Sequence, residues 1–178
     1  MKNLLLMLFP TPQVRDLLDV YRRRCPFPRG HRLPDADRLH LTLFSLGLVP
    51  DGRVQGLRDM LRDVPMEPLE LWLYRPVKLT GVASMPVRSS RTLKQFRECL
   101  RAALEAGGFA HEGGNRPHVS LAYQSATEAP APPTCDIPWM VREFKLVWSQ
   151  LPPAFAWGRH VVLERYPAQI PLQQRLFD

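Results

Sequence analysis

The sequence has 178 residues, a length that suits one compact domain or two small lobes that share a core. Its 45% hydrophobic and 23% charged residues are ordinary for a globular protein, and no stretch reaches the ~18 apolar residues that a membrane-spanning helix needs. The net charge of +7 comes mainly from arginine. It favours an anionic partner, although a generally basic surface would produce the same charge.

Three cysteines, Cys25, Cys99 and Cys135, lie far apart and form no C-x-x-C pair. This spacing argues against a disulfide framework and against a structural zinc site, and it favours a reducing, cytoplasmic compartment. The first twelve residues, MKNLLLMLFPTP, contain a short apolar run but no small-residue cleavage site. We therefore expect a buried first strand there rather than a signal peptide.

The first third of the chain predicts a strand, a helix and a second strand. The strand covers residues 3–9, and the helix covers residues 11–24, with Thr11 as its cap and Pro12 in its first turn. A proline-rich loop then leads to a strand near 38–46. The apolar stripe of the helix consists of Val14, Leu17, Leu18 and Tyr21.

The middle of the chain predicts two more helices with strands between them. Residues 51–64 form a helix that Asp51 could cap, and the segments 69–76 and 77–84 read as two strands that could pair as a hairpin. The helix at 89–108 has the clearest pattern, since a serine precedes it and glycines end it. The inward residues of the two helices are Val54, Leu57 and Leu61, and Leu93, Phe96, Leu100 and Leu104.

The last third predicts strands at 116–123, 141–150 and 159–167, with an exposed proline-rich loop at 124–138. Helices mixed with strands at hairpin-length separations indicate an α+β fold whose sheet is largely antiparallel. The two halves of the chain also resemble each other weakly, and one short motif makes this internal repeat explicit.

The repeat is HLTL at 40–43 and HVSL at 118–121, so the two copies begin 78 residues apart. Side chains alternate along a strand, so His40 and Thr42 share one face, and His118 and Ser120 share the corresponding face of their own strand. The intervening leucines and valine point to the other side. Each copy therefore presents an imidazole and a hydroxyl on one rigid surface.

Two imidazoles and two hydroxyls suit phosphate-ester chemistry. One imidazole can take a proton from the attacking oxygen while the other protonates the leaving oxygen, and the hydroxyls can donate to the phosphate. Histidine is suited to both roles because its ordinary pKa lies near neutrality. A zinc site is the weaker interpretation, because none of the five histidines has a partner four residues away and no third ligand is evident.

The paired motifs resemble those of the 2H phosphoesterase superfamily. Within it, RLHLTLFSLG and RPHVSLAY resemble the 2′-5′ RNA ligase / RNA 2′,3′-cyclic phosphodiesterase family, whose first motif commonly runs into Phe-Leu-Gly. This chain has one residue inserted there, in Phe44-Ser45-Leu46-Gly47, and it has Ser120 in place of the second threonine. The closing segments 141–150 and 159–167 also resemble those of the family, so the similarity covers nearly the full length.

The resemblance implies a single bilobal domain over residues 1–178, with two pseudo-symmetric lobes, flanking helices and a central cleft between the histidines. It implies hydrolysis of 2′,3′-cyclic phosphate RNA ends to 2′-phosphates, without a metal or cofactor. By motif position, His40 would be the proton donor and His118 the acceptor, while Thr42 and Ser120 would hold the phosphate. The residues themselves leave the assignment of donor and acceptor open.

Two further residues are candidate substrate contacts. Arg116 lies two residues before His118, where it could contact phosphate, and Phe44 would continue the face of His40 and Thr42, where it could stack on a base. The competing interpretations are a surface arginine and a core aromatic side chain.

Three other functions remain open from the sequence. The first is the reverse reaction on the same site, joining a 2′,3′-cyclic phosphate to a 5′-hydroxyl as a 2′-5′ linkage. The second is a cyclic phosphodiesterase acting on nucleoside or ADP-ribose cyclic phosphates. The third is an RNA-binding module without turnover, which the two intact motifs argue against. We expect a monomer with an RNA or nucleotide substrate, and no association with a membrane.

Overall fold

The computed structural model describes residues 1–27, 30–79, 81–114, 116–123, 135–150 and 158–169. Within these ranges a single turn of 3-10 helix, Ala36–Arg38, precedes the second strand. The nine strands and three α-helices of the described residues are, in chain order, β1 (Lys2–Leu8), α1 (Pro12–Arg24), β2 (Leu41–Val49), α2 (Asp51–Arg62), β3 (Leu69–Leu73), β4 (Val77–Leu79), β5 (Val82–Pro86), α3 (Arg91–Ala106), β6 (His118–Tyr123), β7 (Ile137–Val141), β8 (Glu143–Gln150) and β9 (Arg159–Pro167).

Seven of the strands form one sheet in the order β4-β5-β6-β2-β1-β8-β9. Every neighbouring pair in it is antiparallel. The remaining two strands, β3 and β7, form a separate antiparallel ribbon. The predicted α+β class and the largely antiparallel pairing are therefore confirmed.

The seven-stranded sheet consists of two halves that meet at β2 and β6. One half contains the unit β1–α1–β2 and the other the unit β5–α3–β6, and in each unit a helix connects two antiparallel neighbours. The two units join through the pairing of Leu41 with Val119, both of which are completely buried. Because β2 and β6 carry the two copies of the motif, the internal repeat in the sequence corresponds to a repeat in the topology.

The helices α1 and α3 begin where their capping signals predict. The Thr11 hydroxyl accepts a hydrogen bond from the Val14 backbone N–H at 3.4 Å, and the Ser90 hydroxyl accepts one from the Leu93 N–H at 3.2 Å. The predicted inward face of α3 is buried throughout. None of the helices in the described ranges is long and apolar enough to cross a membrane.

Two details of the helix predictions are wrong. Leu17, which we placed on the buried stripe of α1, is 52% exposed, because the stripe that faces the sheet is narrower and is centred on Leu18. Asp51 does not cap α2; Pro50 occupies the cap position, and Asp51 is the first helical residue. Its carboxylate instead forms an ion pair with Lys2 on β1.

The predicted hairpin of 69–76 with 77–84 does not form. The strand β3 pairs with β7, which lies more than 60 residues later in the chain, and the segment 77–84 is itself folded back, with β4 pairing with β5. Gly81 adopts a φ of +78° in the turn between them, a conformation that glycine accommodates easily. Apolar alternation identified the strands here but did not identify their partners.

The strand boundaries in the last third also differ from the prediction. Most of the expected loop at 124–138 lies outside the described residues, but its last two positions begin β7. The expected strand at 141–150 is interrupted at Arg142, so that Val141 ends β7 and β8 begins at Glu143. A single residue between two apolar runs thus allows the chain to leave the small ribbon and enter the large sheet.

Candidate active site

His40 lies between the 3-10 turn and the first residue of β2. Its Nδ1 is 2.7 Å from the backbone carbonyl oxygen of Arg38. A carbonyl can only accept a hydrogen bond, so Nδ1 carries the proton and Nε2 keeps the lone pair. The ring is thereby fixed in the tautomer whose Nε2 can exchange a proton with substrate.

His118 is held in the same way at the start of β6. Its Nδ1 is 2.9 Å from the carbonyl oxygen of Arg116, again two residues earlier in the chain. Each half of the fold therefore fixes its histidine with the carbonyl of an arginine in an Arg-x-His sequence. Because each of these hydrogen bonds involves Nδ1, both Nε2 atoms can accept or donate a proton.

The pairing of β2 with β6 brings the four motif side chains together. Leu41 is the partner of Val119. Extending this antiparallel register by one residue on each side aligns His40 with Ser120 and Thr42 with His118. Aligned residues of neighbouring strands project from the same face of a sheet. The result is a four-cornered arrangement in which each imidazole stands beside the hydroxyl from the other half.

Burial is the main cause that lowers the pKa of His40 below its ordinary value. The hydrogen bond to the Arg38 carbonyl opposes this effect, while the charges of Arg38 and His118 lower the pKa further. His118 is thus close enough to act electrostatically on His40. In the free protein His40 is neutral at neutral pH, and an anion bound beside it would favour its protonated form.

A third histidine, His160 on β9, packs against His40. The two ring centroids are 4.9 Å apart and the rings are nearly perpendicular. Burial, followed by the charges of His40 and Arg38, lowers the pKa of His160 to about 4, so it is neutral near pH 7. Its Nδ1 is buried, with no hydrogen-bond partner among the described residues. The sequence offered no motif around His160, and only the pairing of β8 with β9 brings it to the site.

We expect the ring of His160 to keep the pKa of His40 low by excluding water. Replacing His160 with alanine should raise the pKa of His40 toward its ordinary value, because burial is the largest cause of the shift. His160→Phe should leave the pKa of His40 low, because it retains a buried ring. An NMR titration of the His40 imidazole in both variants measures the effect. An unchanged pKa in the alanine variant would contradict this role.

Ser84 adds a third hydroxyl that the sequence analysis missed. It is the partner of Ser120 in the pairing of β5 with β6, so the two side chains share a face. Ser84 is completely buried, and its Oγ has no hydrogen-bond partner among the described residues. In the sequence, the one feature that could have indicated Ser84 is that it is a hydroxyl residue within the otherwise apolar segment 82–86.

Phe44 does not continue the face of His40 and Thr42. Consecutive residues of β1 pair with Thr42 and Phe44, so Leu43 is an extra residue that forms a β-bulge and reverses the alternation. Phe44 is 1% exposed and packs edge-on against His111, with ring centroids 5.5 Å apart. A Cβ at Gly113 would lie 2.7 Å from its ring. This placement leaves Phe44 no open face for a base and makes it a core residue.

Arg116 is exposed. Its backbone carbonyl accepts the hydrogen bond from His118, and the residue also lines a cavity beside α3. Arg38 occupies the corresponding position in the first motif and contributes positive charge near His40 and His160. The described part of the chain contains no cluster of three or more His, Cys, Asp or Glu side chains suited to holding a metal ion.

Comparison with solved structures shows the same fold in several proteins. A structure described as a phosphoesterase is 23% identical, with a TM-score of 0.83 over 96% of this chain and 100% of its own. Escherichia coli LigT in complex with NADP⁺ is 23% identical, with a TM-score of 0.80 over 95% of this chain and 98% of its own. LigT structures with 3′-AMP and with ATP match similarly. A protein from Thermus thermophilus is 24% identical, with a TM-score of 0.77 over 93% of this chain and 97% of its own.

Sequence comparison places the chain in a family. A search of curated proteins finds no match. The profile of the 2′-5′ RNA ligase superfamily, however, matches residues 10–152, a range that includes both motifs and the strands that carry them. The chain is therefore a member of the 2′-5′ RNA ligase superfamily of 2H phosphoesterases.

Proposed function

We propose that this protein is a metal-independent RNA 2′,3′-cyclic phosphodiesterase that opens cyclic phosphate ends to 2′-phosphates. The observation that carries the proposal is the arrangement of the motif residues around the Leu41–Val119 pair, which aligns each histidine with a hydroxyl residue of the other motif. The motif residues are His40, Thr42, His118 and Ser120. The Nδ1 atom of each histidine donates a hydrogen bond to a backbone carbonyl. We further propose that residues 1–178 act as one bilobal, monomeric, cytoplasmic unit.

The reaction needs two proton transfers, and the site offers one imidazole for each. In this mechanism His118 Nε2 takes a proton from water as the water oxygen attacks phosphorus. The bond between phosphorus and the 3′ oxygen breaks, and that oxygen takes a proton from His40. The products are a 2′-phosphate and a 3′-hydroxyl, so one water molecule accounts for all atoms. Thr42 and Ser120 donate to the non-bridging oxygens as negative charge develops on them.

The donor role of His40 requires that substrate raise its pKa. Burial keeps the imidazole neutral in the free protein. A cyclic phosphate carries a negative charge, and an anion in contact with an imidazole favours the imidazolium form. Substrate binding would therefore supply the charge that prepares His40 to protonate the leaving oxygen.

A direct assay tests the function. An oligoribonucleotide ending in a 2′,3′-cyclic phosphate is incubated with the protein in the presence of EDTA, and the product is compared with authentic 2′- and 3′-phosphate ends by chromatography. We expect the 2′-phosphate alone, at a rate that EDTA does not change. No product, a 3′-phosphate product or a rate abolished by EDTA would contradict the proposal. Adding an oligonucleotide with a 5′-hydroxyl tests the reverse, ligating direction.

A nucleotide cyclic phosphodiesterase is the second candidate. Three of the LigT structures that share this fold contain 3′-AMP, ATP or NADP⁺, which are nucleotides rather than RNA. A site of this kind would turn over a 2′,3′-cyclic mononucleotide as fast as an oligonucleotide. The net charge of +7 favours the polyanionic substrate, because each phosphate along a strand adds to its attraction. A non-catalytic RNA-binding module would bind the oligonucleotide and release no product.

A further inference from the structure

A cavity of about 630 Å³ lies between α3 and the ends of β5 and β6. Its volume is within the range of sites that bind small molecules, about 300–1,000 Å³. Its walls come from the turn after β5, from one side of α3 and from the residues just before β6. The charged side chains on these walls are Arg88, Lys94, Arg97, Glu98, Arg101 and Arg116.

The charge of this cavity is strongly positive and poorly neutralised. Lys94, Arg97 and Arg101 are spaced three and four residues apart, so they form one stripe along α3. Within the described ranges, none of these three has a carboxylate within 4.0 Å, and Glu98 forms no ion pair either. Among the five lysine and arginine residues that line the cavity, Arg88 forms an ion pair with the carboxylate of Asp136, at 2.7 Å.

Arg97 is held at the wall of the cavity. One terminal nitrogen of its guanidinium donates to the Gly114 carbonyl at 2.7 Å, and its central carbon lies 5.4 Å from the centre of the Phe44 ring. Its Nε is buried and has no hydrogen-bond partner among the described residues. Burial and the nearby charge of Arg101 lower the pKa of Arg97, an effect that a bound anion would oppose.

The cavity adjoins the catalytic strand. Arg116 and Pro117 on its wall directly precede His118, and the carbonyl of Arg116 holds the His118 ring. Pro86, also on the wall, is the partner of His118 in the pairing of β5 with β6. The wall of the cavity therefore continues directly into the residue that carries the second motif imidazole.

We propose that this cavity is a second anion-binding site, separate from the four motif side chains, that binds backbone phosphates of the RNA strand whose cyclic end lies between the histidines. The identification of the bound strand as RNA with a cyclic phosphate end rests on the proposed function. Arginine suits such a site, because its planar guanidinium can donate two hydrogen bonds to one phosphate.

The test compares substrates of increasing length. The double variant Lys94→Gln/Arg101→Gln removes two cavity charges, and glutamine preserves helix propensity. The control Arg24→Gln/Arg142→Gln removes two charges from exposed arginines elsewhere. Substrates are a 2′,3′-cyclic mononucleotide and cyclic-phosphate oligonucleotides of two to six nucleotides.

We expect wild type and control to gain kcat/KM with length, and the cavity variant to lose about tenfold on the longer substrates through KM. Its rate on the mononucleotide should stay within about twofold of wild type. The slope of log KM against log salt should fall by roughly 0.7 for each backbone phosphate that the variant no longer binds. Equal losses on all lengths, or no loss on any, would overturn the inference.

A binding measurement separates this inference from the proposed function. Fluorescence anisotropy with a labelled hexanucleotide ending in a 2′-phosphate requires no turnover. If wild type hydrolyses nothing, the proposed function fails, yet weaker hexanucleotide binding by the cavity variant than by the control would still support the anion site. Equal binding by the two variants would refute the site, whatever the activity.

Discussion

Replacing His118 with alanine should lower kcat/KM for a cyclic-phosphate RNA end by roughly 10²- to 10⁴-fold, and His40→Ala should have a comparable effect. In the proposed mechanism each imidazole supplies one of the two proton transfers, and a hydrogen bond from its Nδ1 to a backbone carbonyl holds each ring in position. Steady-state kinetics on the cyclic-phosphate oligonucleotide measure the losses. Full activity in either variant would refute the two-histidine mechanism.

A substrate with sulfur in place of the 3′ oxygen distinguishes the two roles. A thiolate leaves without needing a proton, so the variant that lacks the proton donor should recover most of its rate on this substrate, whereas the variant that lacks the acceptor should not. We expect His40→Ala to recover and His118→Ala to remain slow. The opposite pattern would exchange the roles and would fit the neutral state of His40 in the free protein.

Removal of the motif hydroxyls should have the second largest effect. Thr42→Val and Ser120→Ala should each lower kcat by roughly 10²- to 10³-fold, as expected for the loss of one donor to developing negative charge. KM should change less than kcat, because these hydrogen bonds strengthen in the transition state. Kinetics under saturating and subsaturating substrate measure the two parameters separately.

Ser45→Ala provides the matched control for these hydroxyl variants. Ser45 lies on the same strand as Thr42, but its backbone bridges Glu112 through two hydrogen bonds of 2.7 Å that do not involve the side-chain hydroxyl. Its activity should stay within about twofold of wild type. If the control loses as much activity as Thr42→Val, the loss reflects a disturbed strand rather than a missing phosphate contact.

The sequence predicted the arrangement within each motif but not the alignment of the two motifs with each other. Side-chain alternation along a strand is local, so HLTL and HVSL each indicate a shared face for the histidine and the hydroxyl. The alignment of His40 with Ser120 depends on the register between two strands that are 78 residues apart. Tertiary packing of the buried Leu41 and Val119 determines that register, and no local pattern encodes it.

The errors have similar physical causes. Phe44 was misplaced because the bulge at Leu43 shifts the alternation by one residue without changing the apolar character of the strand. His160 was missed because the strand that carries it reaches the site only through pairing with β8. The partner of β3 was missed because a short alternating strand does not specify which other strand it will pair with. Local capping and helical periodicity, by contrast, predicted α3 well.

The matching hydrogen bonds from Nδ1 of His40 and of His118 to backbone carbonyls affect the proposed catalytic cycle. Because the Nδ1 of each ring donates to a backbone carbonyl, each Nε2 can serve in the proposed mechanism as the base when the ring is neutral and as the acid when the ring is protonated. In that mechanism, one turnover leaves the ring that accepted a proton protonated and the ring that donated one neutral, so the protonation states of the two rings are exchanged. Before a second turnover in the same direction, solvent must carry a proton from one ring to the other, and the exposed Thr42 beside them shows that water reaches this face.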